Sequence, residues 1–171
     1  GSNFVCEKEQ ENKYIALAAA QIPVMVLNGN LDIPNVYSVL SDDFTSTYAG
    51  TVQMIQSGIR DILYFYNSRS YSGRHKLSGF RAAMEEMSLL KSEDLIQFYQ
   101  GSQEDIHAMI RHLKGVNDRG LTFHGVIAAD DCLGLAAVKY AREMGYRIPE
   151  DFSILGYNNS MLTSCCDPEL T

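Results

Sequence analysis

The feature that most constrains this chain is an alternation. Short runs of β-branched and aromatic residues recur between longer segments whose apolar residues fall at helical spacing. Residues 7–21 read as a helix with Ile15, Leu17 and Ala18 to Ala20 on its apolar stripe, and Ile22 to Leu27 reads as a buried strand closed by Asn28-Gly-Asn30 turn chemistry. Val36 to Leu40 is a second strand. Residues 45–57 form a helix through Tyr48, Val52 and Ile55, with Gly58 placed as a C-cap. Ile62 to Tyr66 is a strand without a polar break, 73–88 a helix, 93–99 a weaker strand, 103–114 a helix, 125–129 a strand, 132–144 a helix capped by Gly145, and 152–156 the last strand. Near-continuous apolar strands joined through helices are the pattern of parallel sheets covered on both faces.

Composition narrows what such a fold does. With 46% hydrophobic residues in 171, the chain has material for a real core. Its net charge is -7, and Lys and Arg are scattered with no run longer than two. That surface is a poor binder of nucleic acid, which needs clustered cations. The four cysteines (Cys6, Cys132, Cys165, Cys166) form no CxxC, which fits a reduced, cytoplasmic protein. No stretch of 18 apolar residues is present, so no membrane span is expected. The four histidines lack HExxH spacing, and GxGxxG, GxxxxGK[ST] and GxSxG are absent. No metal, cofactor or catalytic role is therefore expected, and the chain reads as a binding module rather than an enzyme.

In sheets of this kind ligands bind beyond the carboxyl ends of the strands. Three such ends carry hydrogen-bonding groups over an apolar wall: Asn67 to Arg74, Asp130-Asp131, and Tyr157 to Ser160. A polar ligand such as a sugar needs that mixture.

These same loops resemble a known family. Ser72-Gly-Arg-His-Lys-Leu-Ser-Gly-Phe80 is similar to the R-x-x-G-F stretch of LacI/GalR transcription regulators, and Val126 to Ala136 to their A-x-N-D-x-x-A-x-G. Gly145 to Asn159 resembles G-x-x-V-P-x-D-I-S-V-V-G-F-D-D, and Pro168-Glu-Leu-Thr171 resembles P-P-L-T. Val39-Leu-Ser-Asp42, with Gly58 sixteen positions later, resembles the V-x-x-D segment. Each match is weak alone; five in order at the family's spacings are specific.

The resemblance implies a two-lobed, type I periplasmic-binding-protein-like α/β fold, parallel sheets flanked by helices, with residues 1–57 part of the N-terminal lobe and 58–171 a nearly complete C-terminal lobe. It implies a small polar effector, a sugar or related metabolite, held between the lobes, and a homodimer that touches DNA through a helix-turn-helix outside this chain. A solute-binding protein for a sugar transporter is the alternative. Carried over by position, the effector contacts are Ser70, Arg74, Asp130 and Asn158, with Tyr66, Ser68 and Tyr99 as second-rank candidates. Asp130 stands where the family often has Asn, and Asn158 where it usually has Asp, so acid and amide are exchanged between two loops.

Each candidate also has a plainer reading. Arg74 could pair with a surface carboxylate, Ser70 could be an exposed loop serine, and Asn158-Asn159 could be turn formers. Of the aspartate pair, Asp131 is expected to cap the following helix and Asp130 to face the cleft. Asp42 is expected to cap its helix, and Cys132 to serve packing.

Overall fold

A computed structural model describes residues 9–68, 71–90, 92–101, 105–164 and 166–170, with side chains from residue 12 onward. The expected alternation is present: helix α1 (Glu9–Ala19), strands β1 (Val24–Leu27) and β2 (Val36–Val39), α2 (Asp43–Gln56), β3 (Ile62–Asn67), α3 (Tyr71–Glu86), β4 (Ile96–Tyr99), α4 (Ile106–Asp118), β5 (Gly125–Ala128), α5 (Asp131–Glu143) and β6 (Ser153–Leu155). A single 3-10 turn, Glu93–Leu95, occupies the first half of the strand expected at 93–99. The short helix α6 (Met161–Ser164) was not anticipated. The helix α2 ends where expected: Gly58 takes φ +104, a left-handed value open to a residue without a side chain.

All strand pairs are parallel. The strands β1 and β2 form a two-stranded sheet, with Val24 opposite Val36 and Leu27 opposite Val39. The main sheet runs β4-β3-β5-β6. From β3 the chain steps outward to β4, then returns across β3 to lay down β5 and β6. The switch in direction therefore falls between β3 and β5.

The pleat sends alternate residues of the central strands to opposite faces. Leu63, Phe65, Val126 and Ala128 pack against α4 and α5, with Met109, Leu113, Val116, Leu133, Ala137 and Tyr140 buried beside them. Ile62, Tyr64 and Ile127 pack against Met54, Ile55, Phe80 and Met84 of α2 and α3. At roughly 1.5–3 kcal/mol for each large apolar side chain taken from water, these two layers supply the main stabilisation of the sheet.

The helix α2 packs against α3 and the β3–β6 sheet, although it lies on the N-terminal side of the expected division at residue 57. The packing is close. A Cβ added at Gly79 of α3 would lie 2.2 Å from the carbonyl oxygen of Phe44, so the two helix backbones touch at that glycine.

The Pro168-Glu-Leu stretch has an equally local cause. The side chain of Leu170 lies where a Cβ would stand at Gly134 (2.5 Å) and at Gly156 (2.7 Å). Two glycines, one on α5 and one just after β6, make a notch that a leucine fills.

Candidate functional site

The carboxyl ends of β3, β5 and β6 lie side by side at the switch point of the sheet, where ligands of open α/β sheets bind. After β3, the Ser68 carbonyl accepts a hydrogen bond from Arg74 Nη1 at 3.2 Å, and Ser68 Oγ accepts one from Gln100 Nε2 at 3.2 Å. The half-buried Arg74 thus reaches back to the β3 loop from the first turn of α3. Ser70 lies outside the described residues.

After β5, the cap of α5 falls to Asp130 and not, as expected, to Asp131. The Ala129 N–H still bonds to the Phe65 carbonyl at 2.9 Å, so the extended chain runs one residue beyond the strand and the helix begins at Asp131. Asp130, with extended backbone, is therefore the N-cap, accepting from the Leu133 N–H at 2.9 Å. Asp131 is 3% exposed. Its two carboxylate oxygens accept from the N–H of Tyr157 at 3.1 Å and of Ser160 at 2.7 Å. Asp131 clamps the loop after β6 from below, while Asp130 stays half-buried at the strand end. Burial raises the carboxyl pKa of Asp130, opposed by the Leu133 N–H and by Lys76. Burial likewise raises the Cys132 thiol, helped by both aspartates, which keeps it protonated as a packing residue.

Between the two ends of that clamp, Asn158 and Asn159 take φ +88 and +49. Asparagine tolerates the left-handed region better than other side-chain-bearing residues, which accounts for the pair. Both side chains are exposed at the strand end. Asn158 is thus a turn former and an open hydrogen-bonding group at once.

The two tyrosine candidates lie within strands, on opposite faces. Tyr66 is half-buried on the α2/α3 face, tilted against Tyr64 and edge-on to Phe98. Tyr99 is 8% exposed on the α4/α5 face, with its ring packed at an angle on Phe65. Asp42 caps α2 as expected, accepting from the Thr45 N–H at 3.0 Å, and that bond lowers its pKa.

Beneath the loops lies a group that sequence reasoning missed. Lys76 is 4% exposed. Its Nζ donates to the Ala129 carbonyl at 2.8 Å and sits 3.4 Å from the ring centroid of Tyr157. The Tyr157 hydroxyl donates to Asp43 Oδ1 at 3.1 Å and lies 2.9 Å from Ser46 Oγ. Burial pulls the Lys76 pKa down to about 8, against the opposing pull of Asp43, Asp130 and Asp131. The signal was in the sequence. Counting R-x-x-G-F back from Gly79-Phe80 puts Lys76, not Arg74, at the basic position of the motif.

A separate open hollow of about 370 Å³, lined in part by Arg60, Asp61, His124 and Asp151, lies at the amino ends of the strands. Topology favours the opposite end, where the loops of three adjacent strands converge.

A parallel sheet with helices on both faces and polar groups gathered at its switch point defines a small-molecule-binding α/β unit. The chain matches the periplasmic binding protein-like domain over residues 51–171 and belongs to that family, in the form found in LacI-type regulators. An HTH-type transcriptional regulator of Lachnoclostridium phytofermentans is 41% identical over all of this chain, which spans 50% of that relative. Among solved structures, the transcription regulator CcpA of Lactococcus lactis superposes with a TM-score of 0.77 at 25% identity, over 96% of this chain and 58% of that one. The transcriptional regulator CelR in complex with cellobiose superposes with a TM-score of 0.75 at 22% identity, over 95% of this chain and 57% of that one, a likeness of fold. This chain thus spans about half the length of the relatives it matches. No helix among the described residues is long and apolar enough to cross a membrane.

Proposed function

We propose that this chain is the effector-sensing part of a LacI-type transcription regulator that acts in the cytoplasm as a homodimer. In this reading a small polar effector, a sugar or related metabolite, binds at the carboxyl ends of β3, β5 and β6. A DNA-binding helix-turn-helix belongs to the remainder of the polypeptide, and the chain performs no catalysis. The unit ending at Leu40 is part of one lobe, and Asp43 onward makes the other.

The observation that supports the reading is that Arg74, Asp130 and Asn158 each follow one of three strands that are neighbours in the sheet, around its switch point. Ser68 lines the same edge, and Ser70 is proposed to complete it. Asp130 brings a carboxylate, and Asn158 both a donor and an acceptor, a set of groups suited to neighbouring hydroxyls. The acidic surface of this part agrees with DNA contact being made elsewhere in the protein. The regulator relatives favour this reading over a transport protein, and the cellobiose complex of CelR supports a carbohydrate.

The test is a thermal-shift screen of the full-length protein against mono- and disaccharides, including cellobiose, followed by calorimetry on any that stabilise it. One sugar should bind, and Asn158→Ala should weaken it at least tenfold, the loss of about 1.4 kcal/mol. A blank screen across sugars and related metabolites would overturn the reading.

A further inference from the structure

We propose that Tyr157 is a positioning residue: its hydroxyl, bonded to Asp43 and Ser46 at the start of α2, sets the loop 157–160 and so holds Asn158 in place. That Asn158 meets an effector rests on the function proposed above; that its loop is held from α2 does not.

The loop needs holding. Two successive residues with side chains, Asn158 and Asn159, lie at positive φ. Such backbone persists only where its surroundings determine it. Asp131 fixes the loop from the first turn of α5 by taking the N–H groups of Tyr157 and Ser160, one on each side of the asparagine pair. Those two bonds set the ends of the loop but not its tilt over the sheet. Tilt is fixed by a side chain that reaches outward, and Tyr157 supplies it. Its hydroxyl spans 111 residues of sequence to Ser46 and 114 to Asp43.

The anchor itself is firm. Asp43 is 7% exposed, and it directly follows the cap Asp42, where the chain leaves the β1–β2 unit. The Tyr157 ring is held from its face by the Lys76 ammonium, which is in turn tied to the Ala129 carbonyl beside Asp130. One tyrosine therefore joins the loop after β6, the strand end of β5 and the segment that connects the two units. A pull on Asn158 moves Tyr157, and Tyr157 bears on the connection.

The decisive measurement is backbone amide exchange in the full-length, ligand-free protein. Tyr157→Phe keeps the ring and its contact with Lys76 and removes only the hydroxyl. It should speed exchange at position 157 and at Ser160 about fivefold, the effect of one or two net hydrogen bonds. The double variant Asp43→Ala with Ser46→Ala, which removes both partners of the hydroxyl, should do the same to this loop from more than a hundred residues away. Amides of β3 and β5 should stay as slow as before, which a general loosening of structure would not allow. If either variant leaves the loop unchanged, the positioning role is wrong. A parallel titration with cellobiose separates the two claims: weaker binding by Tyr157→Phe supports both, and binding unaltered in a variant with a loosened loop overturns the placement of Asn158. Absence of any sugar binding to the parent protein counts against the effector reading, while the exchange data still decide the role of Tyr157.

Discussion

Lys76→Met removes an ammonium that is 4% exposed and leaves a side chain of similar length. Burial sets the folded-state pKa of Lys76 at about 8 against an ordinary 10.5. That gap amounts to roughly 3 kcal/mol in favour of the neutral amine in the folded chain. The sign follows from proton counting. Between about pH 8 and 10.5 the unfolded chain holds the proton and the folded chain has released it, so stability rises with pH across that window. Below about pH 8 both forms are charged and the full burial cost is present. Urea unfolding followed by circular dichroism, repeated from about pH 7 to about pH 9.5, should therefore show the parent protein gaining roughly 2 kcal/mol relative to Lys76→Met. Taking the difference between the two proteins cancels other groups, such as Cys132, whose raised thiol pKa acts in the opposite sense. A difference that stays flat with pH would refute the reasoning, because it would mean that the Lys76 ammonium is as well solvated in the folded chain as in the unfolded one.

Three further substitutions probe the packing that holds the site. Gly79→Ala places a methyl group against the Phe44 carbonyl and the Tyr48 N–H, both backbone, so neither neighbour can rotate away; a loss of about 1–3 kcal/mol in urea unfolding is expected. Leu170→Ala empties the notch between Gly134 and Gly156 and should cost about 2–3 kcal/mol, read as a lowered Tm. Asp130→Ala removes the cap of α5 and should cost about 1 kcal/mol, whereas Asp130→Ser retains a capping oxygen and should restore most of it. Comparing the two for sugar binding then separates the cap from any contact with the effector.

The fold was legible because burial and spacing point the same way. Ile62 to Tyr66 is apolar at every position since both sheet faces are covered, and the spacing of Ile106, Ile110 and Leu113 marks the buried side of α4. What stayed hidden is what depends on the neighbour of an element rather than on the element itself. Helix α2 has the same periodicity whichever unit it joins; only the close approach at Gly79 to Phe44 decides that it joins α3. The first half of the weak strand 93–99 became a 3-10 turn because the Ser92 hydroxyl accepts the Asp94 N–H, a local bond that competes with strand pairing.

The site shows the same division more sharply. Its loops were found from strand ends and motif spacing, but roles within them turned on single-residue offsets. Asp130 and Asp131 are chemically identical, and the sequence alone allows either to cap α5. The β5 ladder runs one residue past Ala128, through the Ala129 N–H, and that extra bond gives the cap to Asp130 and the clamp on the 157–160 loop to Asp131. Lys76 was passed over because a lysine in a polar helix start reads as solvated, and nothing local reveals that Tyr157, 81 positions later, lies across it. A buried ammonium on a tyrosine ring, bonded to the carbonyl beside a half-buried aspartate, is costly unless the surrounding groups are fixed in place. The rigidity of the strand ends and the presence of Lys76 are therefore one fact: the ammonium is tolerated only where Ala129, Tyr157 and the three aspartates hold their positions, and whatever shifts Tyr157 must also alter the environment of that charge.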